Sequence, residues 1–174
     1  MAETGAHDAQ RLNFDRLVAP WRDDLYRYVF WLCRDRDLAD DVVQETMLRA
    51  YRSMASLRDE GSVKTWLLTI ARREHARVYE RKRLETRDID ELTAADAEFI
   101  ATGHDTDIDD MRHAILKLEE DYREPLVLQV LMGLSTQEIA DTMNIKQGAV
   151  LTRLHRARSK LVKLIDAGLD VVGD

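Results

Sequence analysis

Apolar residues recur at intervals of three and four along most of this chain, and this period is the feature that most constrains its fold. Such spacing places apolar side chains on one face of an α-helix. The 174 residues include only seven Gly and two Pro, whereas a sheet protein with many tight turns would normally use more of both. The sequence therefore predicts an all-α protein, of a length that suits one domain or two small ones.

Three helices are predicted in the first half of the chain. The first covers residues 14–32 and ends near the charged run 34–37. Asp37 is expected to cap the second helix, which fades near Ser56. Ser62 is expected to cap a third helix, which carries a cluster of basic residues.

Four further helices are predicted in the second half. Asp107 is expected to cap the first of them, and Pro125 to lie in the first turn of the next, which ends at Gly133. Residues 135–138 have the Ser-x-x-Glu form of a capping box and open a short helix. After a turn at Asn144, the last helix is predicted over about residues 147–167.

The charge is unevenly distributed. The formal net charge is −7, which argues at first sight against nucleic-acid binding. However, residues 63–83 contain seven basic and two acidic side chains, and residues 145–165 contain six basic side chains and no acid. Between them, residues 84–110 carry ten acids and one Arg. Two basic segments are thus joined by an acidic connector, and residues 84–107, with weak periodicity, are predicted to be a flexible linker.

The short helix, tight turn and basic helix after residue 135 are typical of a helix-turn-helix, whose second helix enters the DNA major groove. Gln and Arg near the start of that helix can read base edges, and Lys further along can meet phosphates. The residues expected to contact DNA are Lys146, Gln147, Thr152, Arg153, Arg156 and Lys160. The alternative is a solvated basic face on an ordinary bundle helix.

Two further surfaces have open interpretations. Arg73, Arg77 and Arg81 form a basic stripe on the third helix, which is either a nucleic-acid surface or a solvated face. The second helix carries an acidic patch, which is either a protein-docking surface or compensation of the helix dipole. The residues of this patch are Asp40, Asp41, Gln44 and Glu45.

The sequence offers no sign of catalysis. No nucleophile lies beside a base, no glycine-rich loop could hold a phosphate, and no ligand cluster suits a metal or cofactor. Cys33, the only cysteine, cannot form an internal disulfide and is expected in the core. Because no export signal or membrane span is evident, we expect a cytoplasmic protein that does not insert into membranes.

Three motifs resemble the bacterial extracytoplasmic-function (ECF, group 4) sigma factors of the sigma-70 family. They are DLADDVVQETMLRAYR at residues 37–52, TWL with IAR at residues 65–72, and LS with EIA at residues 134–140 followed by RLHRAR at residues 153–158. The resemblance implies sigma domain 2 at residues 14–83, an acidic linker at 84–107 and sigma domain 4 at 108–166.

The family resemblance also implies partners and site residues. Asp41, Gln44 and Glu45 would bind the clamp helices of the β′ subunit of core RNA polymerase. Domain 4 would contact the β flap and read the minus-35 promoter element, and an anti-sigma factor would hold the protein inactive. The residues that would recognise and open the minus-10 element are Lys64, Trp66, Arg72, Arg73, Arg77 and Arg81.

Two alternatives to an alternative sigma factor stay open at this point. The chain departs from the family pattern at Val63, Arg73, Lys146 and Leu151, and the last two weaken the predicted recognition helix. This weakening motivates a sigma-like decoy, which would sequester an anti-sigma factor without directing transcription. A plain helix-turn-helix repressor is the other alternative, but it would need a dimerisation surface, and none is evident.

Overall fold

Two helical units make up the described part of the protein, which comprises residues 2–85 and 106–169 of a computed structural model. The units divide the chain at Met1–Asp88 and Ile89–Asp174. No β-strand occurs in the described ranges. The predicted all-α fold with two small domains is therefore confirmed, whereas the predicted flexibility of the linker concerns residues that lie, for the most part, outside the described ranges.

The first unit contains four α-helices and three short 3-10 segments. The helices are α1 (Ala2–Leu17), α2 (Arg22–Cys33), α3 (Arg36–Arg52) and α4 (Val63–Glu85). The 3-10 segments are Ala19–Trp21, Met54–Ser56 and Glu60–Ser62. Helices α2, α3 and α4 pack against one another around apolar side chains, among them Leu25, Phe30, Val42, Leu67 and Leu68, all of which are buried.

The single helix predicted over residues 14–32 is wrong, because Pro20 divides it into α1 and α2. Proline has no backbone N–H, and its ring clashes with the carbonyl of the preceding turn in a continuous helix. The chain instead makes a 3-10 turn, in which the N–H of Trp21 donates to the carbonyl of Val18 over 3.0 Å. The apolar period continues through this break, so periodicity alone did not reveal it.

Helix α3 is capped by Asp35 and not, as predicted, by Asp37. A carboxylate oxygen of Asp35 accepts a hydrogen bond from the N–H of Leu38 at 2.9 Å. Arg34, immediately before it, has a φ of 56° and ends α2 in the left-handed conformation. Cys33 is half-buried rather than in the core, and its thiol donates to the carbonyl of Asp35.

The second unit contains α5 (Thr106–Leu116), α6 (Glu120–Val130), α7 (Thr136–Met143) and α8 (Gln147–Leu169). Two predicted boundaries are wrong. Helix α5 begins at Thr106, so Asp107 lies inside it and is not its cap. Helix α6 begins at Glu120, so Pro125 lies within the helix and not in its first turn. Acidic residues in the first turn of α6 favour this earlier start, because they interact well with the helix dipole.

The predicted helix-turn-helix is present in the second unit. The hydroxyl of Ser135 accepts from the N–H of Glu138, while the Glu138 carboxylate accepts from the N–H of Ser135, which completes the predicted capping box. Asn144 ends α7 with a φ of 54°, as a tight turn requires. Gly133, between α6 and α7, has a φ of 65°, a conformation that glycine adopts without strain.

Buried Arg123 fixes the junction between α5 and α6. One Nη atom of Arg123 donates to the carbonyls of Leu116 and Leu118 at 3.2 and 2.5 Å. The last carbonyls of a helix have no intrahelical partner, and a cation near them also complements the helix dipole. Arg123 thereby positions α6 at the end of α5, and α6 packs against α8.

Candidate nucleic-acid interfaces and acidic face

The acidic face of α3 comprises Asp40, Asp41, Gln44 and Glu45. It projects from the unit because the intervening Val42 and Val43 are fully buried. Asp41 and Gln44 are exposed, and Glu45 is partly exposed. The structure thus brings the predicted docking residues Asp41, Gln44 and Glu45 onto one face.

Neighbouring side chains modify the charge of this face. An oxygen of Asp40 lies 4.0 Å from an Nη atom of Arg22. Burial, and secondarily the charge of Asp40, raises the pKa of the Tyr26 hydroxyl above its usual value of 10.0. The Nε atom of Arg49 lies 3.1 Å from Oε1 of Glu45, one helical turn away. The face remains predominantly acidic.

An open groove borders the acidic face, and sequence reasoning did not identify it. Asp40 and Gln44 of the acidic face line it, and Leu48 is 46% exposed. The full lining consists of Phe14, Arg22, Asp40, Gln44, Met47, Leu48 and Tyr51. The position of Leu48 could have indicated this groove. Leu48 lies seven residues after Asp41 and four after Gln44, and these spacings bring side chains to one face of a helix.

The basic stripe of α4 is exposed. Arg73, Arg77 and Arg81 are all exposed at four-residue spacing, and Arg77 also pairs with buried Glu74 at 3.2 Å. The other predicted minus-10 residues are less exposed to solvent than this stripe. Arg72 and Trp66 are only partly exposed. The Nζ atom of Lys64 lies 5.6 Å from the centre of a Trp21 ring, in a cation–π contact near the start of the helix.

Helix α8 presents most of its predicted DNA-binding residues to solvent. Gln147, Thr152 and Arg156 are exposed, as is Lys146 immediately before the helix. The amide of Gln147 donates to the hydroxyl of Thr136 on α7 at 2.9 Å, a contact that holds the start of the recognition helix against its partner helix.

Two predicted DNA-binding cations form ion pairs with acidic residues at the start of α6. Arg153, with a side chain only 29% exposed, has an Nη atom 3.2 Å from an oxygen of Asp121. Lys160 lies 2.7 Å from Oε1 of Glu119 and 4.4 Å from the centre of the Tyr122 ring. Sequence reasoning missed these acids because 32 and 41 residues separate the partners, and only the fold brings them together.

The described residues give no sign of a metal site or a membrane span. Among them, no group of three or more His, Cys, Asp or Glu residues could hold a metal ion. None of the described helices is both long and apolar enough to cross a bilayer.

Comparison with known proteins identifies the family of both units. The model of sigma-70 region 2 matches residues 17–85, and that of sigma-70 region 4 matches residues 108–161. The ECF RNA polymerase sigma factor SigM of Bacillus subtilis is 28% identical over 162 residues, which are 91% of this chain and 99% of SigM. EcfG of Rhodopseudomonas palustris, also an ECF sigma factor, is 34% identical over 143 residues, covering 81% of this chain and 78% of EcfG.

A solved structure supports the same relationship. The sigma factor RpoE of Bartonella quintana, in a co-crystal structure with the anti-sigma factor NepR, matches with a TM-score of 0.75 and 25% identity. The match covers 88% of this chain and 97% of RpoE.

Proposed function

The chain belongs to the ECF sigma factors of the sigma-70 family, and from this membership we propose that it is an alternative sigma factor controlled by an anti-sigma factor. It binds core RNA polymerase and directs it to specific promoters. The match to sigma regions 2 and 4, in that order along one chain, carries this conclusion. Members of this family are transcription-initiation factors, so the polymerase supplies the catalysis, and we assign this chain no chemistry of its own.

We assign polymerase docking to the acidic face of α3. The exposed carboxylates of Asp40 and Asp41 repel DNA phosphates, and together with the amide of Gln44 they are complementary to a basic protein surface. Asp41, Gln44 and Glu45 also match the family's contact with the β′ clamp helices. This docking takes place in the cytoplasm, where core polymerase and the chromosome are found.

We assign promoter recognition to the two basic surfaces. The stripe on α4, with Lys64, Trp66 and Arg72 near it, would contact and open the minus-10 element. Helix α8 would read the minus-35 element as duplex DNA, because its exposed side chains occupy the major-groove face of a helix-turn-helix. We accordingly propose domain 2 at residues 14–83 and domain 4 at 108–166. Helix α4 extends two residues beyond this domain 2 boundary, to Glu85, and α5 begins two residues before the domain 4 boundary, at Thr106.

Asp121 is expected to restrain the DNA binding of α8. Its carboxylate pairs with Arg153 and repels phosphates nearby. We expect Asp121→Asn to bind every duplex about two- to fivefold more tightly, the range of an exposed ion pair. The same substitution should narrow the preference for promoter over random DNA, because Arg153 is then no longer oriented. Fluorescence anisotropy of the full chain with both duplexes measures the two effects.

Asp166→Asn is the matched control, since it removes the same charge from an exposed position near the end of α8. An equal gain from Asp166→Asn would show that net charge alone acts, and would contradict a specific role of Asp121.

We propose that an anti-sigma factor covers the docking or DNA surfaces until a signal arrives. Apolar side chains are exposed beside both surfaces, among them Leu48 on α3 and Leu151 on α8. The relative RpoE has been solved with such an inhibitor. Pull-down of this protein from unstressed cells should recover a stoichiometric partner that competes with core polymerase. Recovery of only free factor and polymerase would contradict sequestration.

Transcription of genomic DNA by core polymerase tests the proposed function directly. With this protein added, mapped RNA 5′ ends are expected to cluster immediately downstream of shared minus-35 and minus-10 sequences. Core enzyme alone should give no such cluster. A sigma-like decoy or a plain helix-turn-helix repressor would add no start sites, and that result would overturn the proposal.

A further inference from the structure

Four charged side chains form a continuous chain of ion pairs from the acidic face of α3 to the basic stripe of α4. The Nε atom of Arg49 lies 3.1 Å from Oε1 of Glu45 and 2.7 Å from Oε1 of Glu74. The same oxygen of Glu74 lies 3.2 Å from an Nη atom of Arg77. Arg49 is therefore shared between a carboxylate on the docking face and one on the DNA-binding helix.

Burial distinguishes the two carboxylates that share Arg49. The side chain of Glu74 is only 5% exposed, whereas that of Glu45 is 39% exposed. A buried carboxylate requires a charged partner, because leaving it unpaired in the interior costs far more than an exposed pair contributes. Glu74 therefore attracts Arg49 from the interior side through an ion pair in which the Nε atom of Arg49 makes no hydrogen bond, and Arg49 in turn attracts Glu45.

We propose that Arg49 is a positioning residue for polymerase docking, which fixes the carboxylate of Glu45 in the orientation that the polymerase binds. This inference rests on the proposed function, in which Glu45 contacts the β′ clamp helices. A free glutamate side chain loses rotamer entropy when a partner immobilises it, and an already fixed side chain loses less. Glu45 is 39% exposed, so its carboxylate remains accessible to a basic partner while it is paired with Arg49.

A double-mutant cycle tests the positioning role. Dissociation constants of the full chain for core polymerase are measured for Arg49→Lys, Glu45→Gln and the double variant. Lysine keeps the charge beside Glu74 but lacks the planar guanidinium that spans two carboxylates. We expect Arg49→Lys to weaken binding about two- to fivefold. In the Glu45→Gln background it should have no further effect, because Arg49 acts only through Glu45.

Arg27→Lys is the matched control. Arg27 pairs with Asp24 on α2, where both side chains are at least 45% exposed, and its substitution should leave the affinity unchanged. Circular dichroism verifies folding, and should Arg49→Lys be unfolded, the same cycle is measured in a Glu74→Gln background, where no buried carboxylate requires a charged partner.

The outcomes separate this inference from the function on which it rests. If Glu45→Gln weakens binding but the two effects multiply, Arg49 has only a general structural role and the inference is overturned. An unchanged affinity of Arg49→Lys overturns it as well. If Glu45→Gln itself binds like wild type, the assignment of the docking face fails, and the inference fails with it.

Discussion

Replacement of Asp41 and Glu45 by lysine is expected to reduce binding to core polymerase by at least about 100-fold, because like charges placed opposite each other at an interface cost several kcal/mol. Both substituted side chains point away from the core. Helix α3 packs into the core through other residues, such as Val42 and Val43, which are buried. The cap of α3 at Asp35 is also untouched. The fold should therefore persist, and titration of labelled protein with core polymerase measures the loss.

Asp15→Lys combined with Asp23→Lys is the control for this prediction. These two exposed residues on α1 and α2 change the net charge equally but lie outside the acidic face. Near-wild-type binding is expected of the control. A folded Asp41→Lys, Glu45→Lys variant that still bound polymerase like wild type would refute the docking assignment.

Alanine substitution of Arg153 and of Arg156 is expected to have different consequences. Arg153 is partly buried and held by Asp121, so its guanidinium is oriented before DNA arrives. We therefore expect it to read a base edge, where a bidentate contact to guanine is worth about 1–3 kcal/mol, or roughly 5- to 150-fold in preference. Arg156 is exposed, and we expect it to bind phosphate. Its loss should weaken all sequences alike and lower the salt dependence.

Competition between start sites in transcription by the reconstituted holoenzyme measures the loss of preference, and promoter binding at several salt concentrations measures the uniform loss of affinity. Lys117→Ala serves as control, since it removes an exposed cation from the turn that follows α5. If neither Arg153→Ala nor Arg156→Ala changed promoter choice, α8 would not be the reading helix.

Local signals in the sequence were sufficient to predict the helix-turn-helix. The capping box of Ser135 and Glu138 acts over three residues, and the left-handed turn at Asn144 involves one. Such short-range features depend little on the rest of the fold. The same is true of the acidic face, because helical spacing alone brings Asp41, Gln44 and Glu45 together.

Other boundaries depended on choices that the local sequence leaves open. Asp35 and Asp37 are both suitable caps, and the left-handed conformation of Arg34 decides in favour of Asp35. At Pro20 the apolar period runs on in register, so the steric effect of proline was the better guide. A break at proline deserved more weight than continuous periodicity.

The ion pairs at the functional surfaces could not be predicted from sequence. Arg153 meets Asp121, and Arg49 meets Glu74, across 32 and 25 residues respectively. In a chain with 26 basic and 33 acidic residues, many pairings are possible. Only the packing of α6 on α8, and of α3 on α4, selects these partners.

Photocrosslinking in the promoter complex tests most directly the central claim, that two faces of the first unit have different partners. A photoreactive amino acid is placed at Gln44 on the acidic face or at Arg77 on the basic stripe, both exposed, and the complex is irradiated after assembly with core polymerase and promoter DNA. Position 44 is expected to crosslink to the β′ clamp helices, and position 77 to DNA around the minus-10 element. Crosslinking of position 44 to DNA, or of neither position to its assigned partner, would contradict the account.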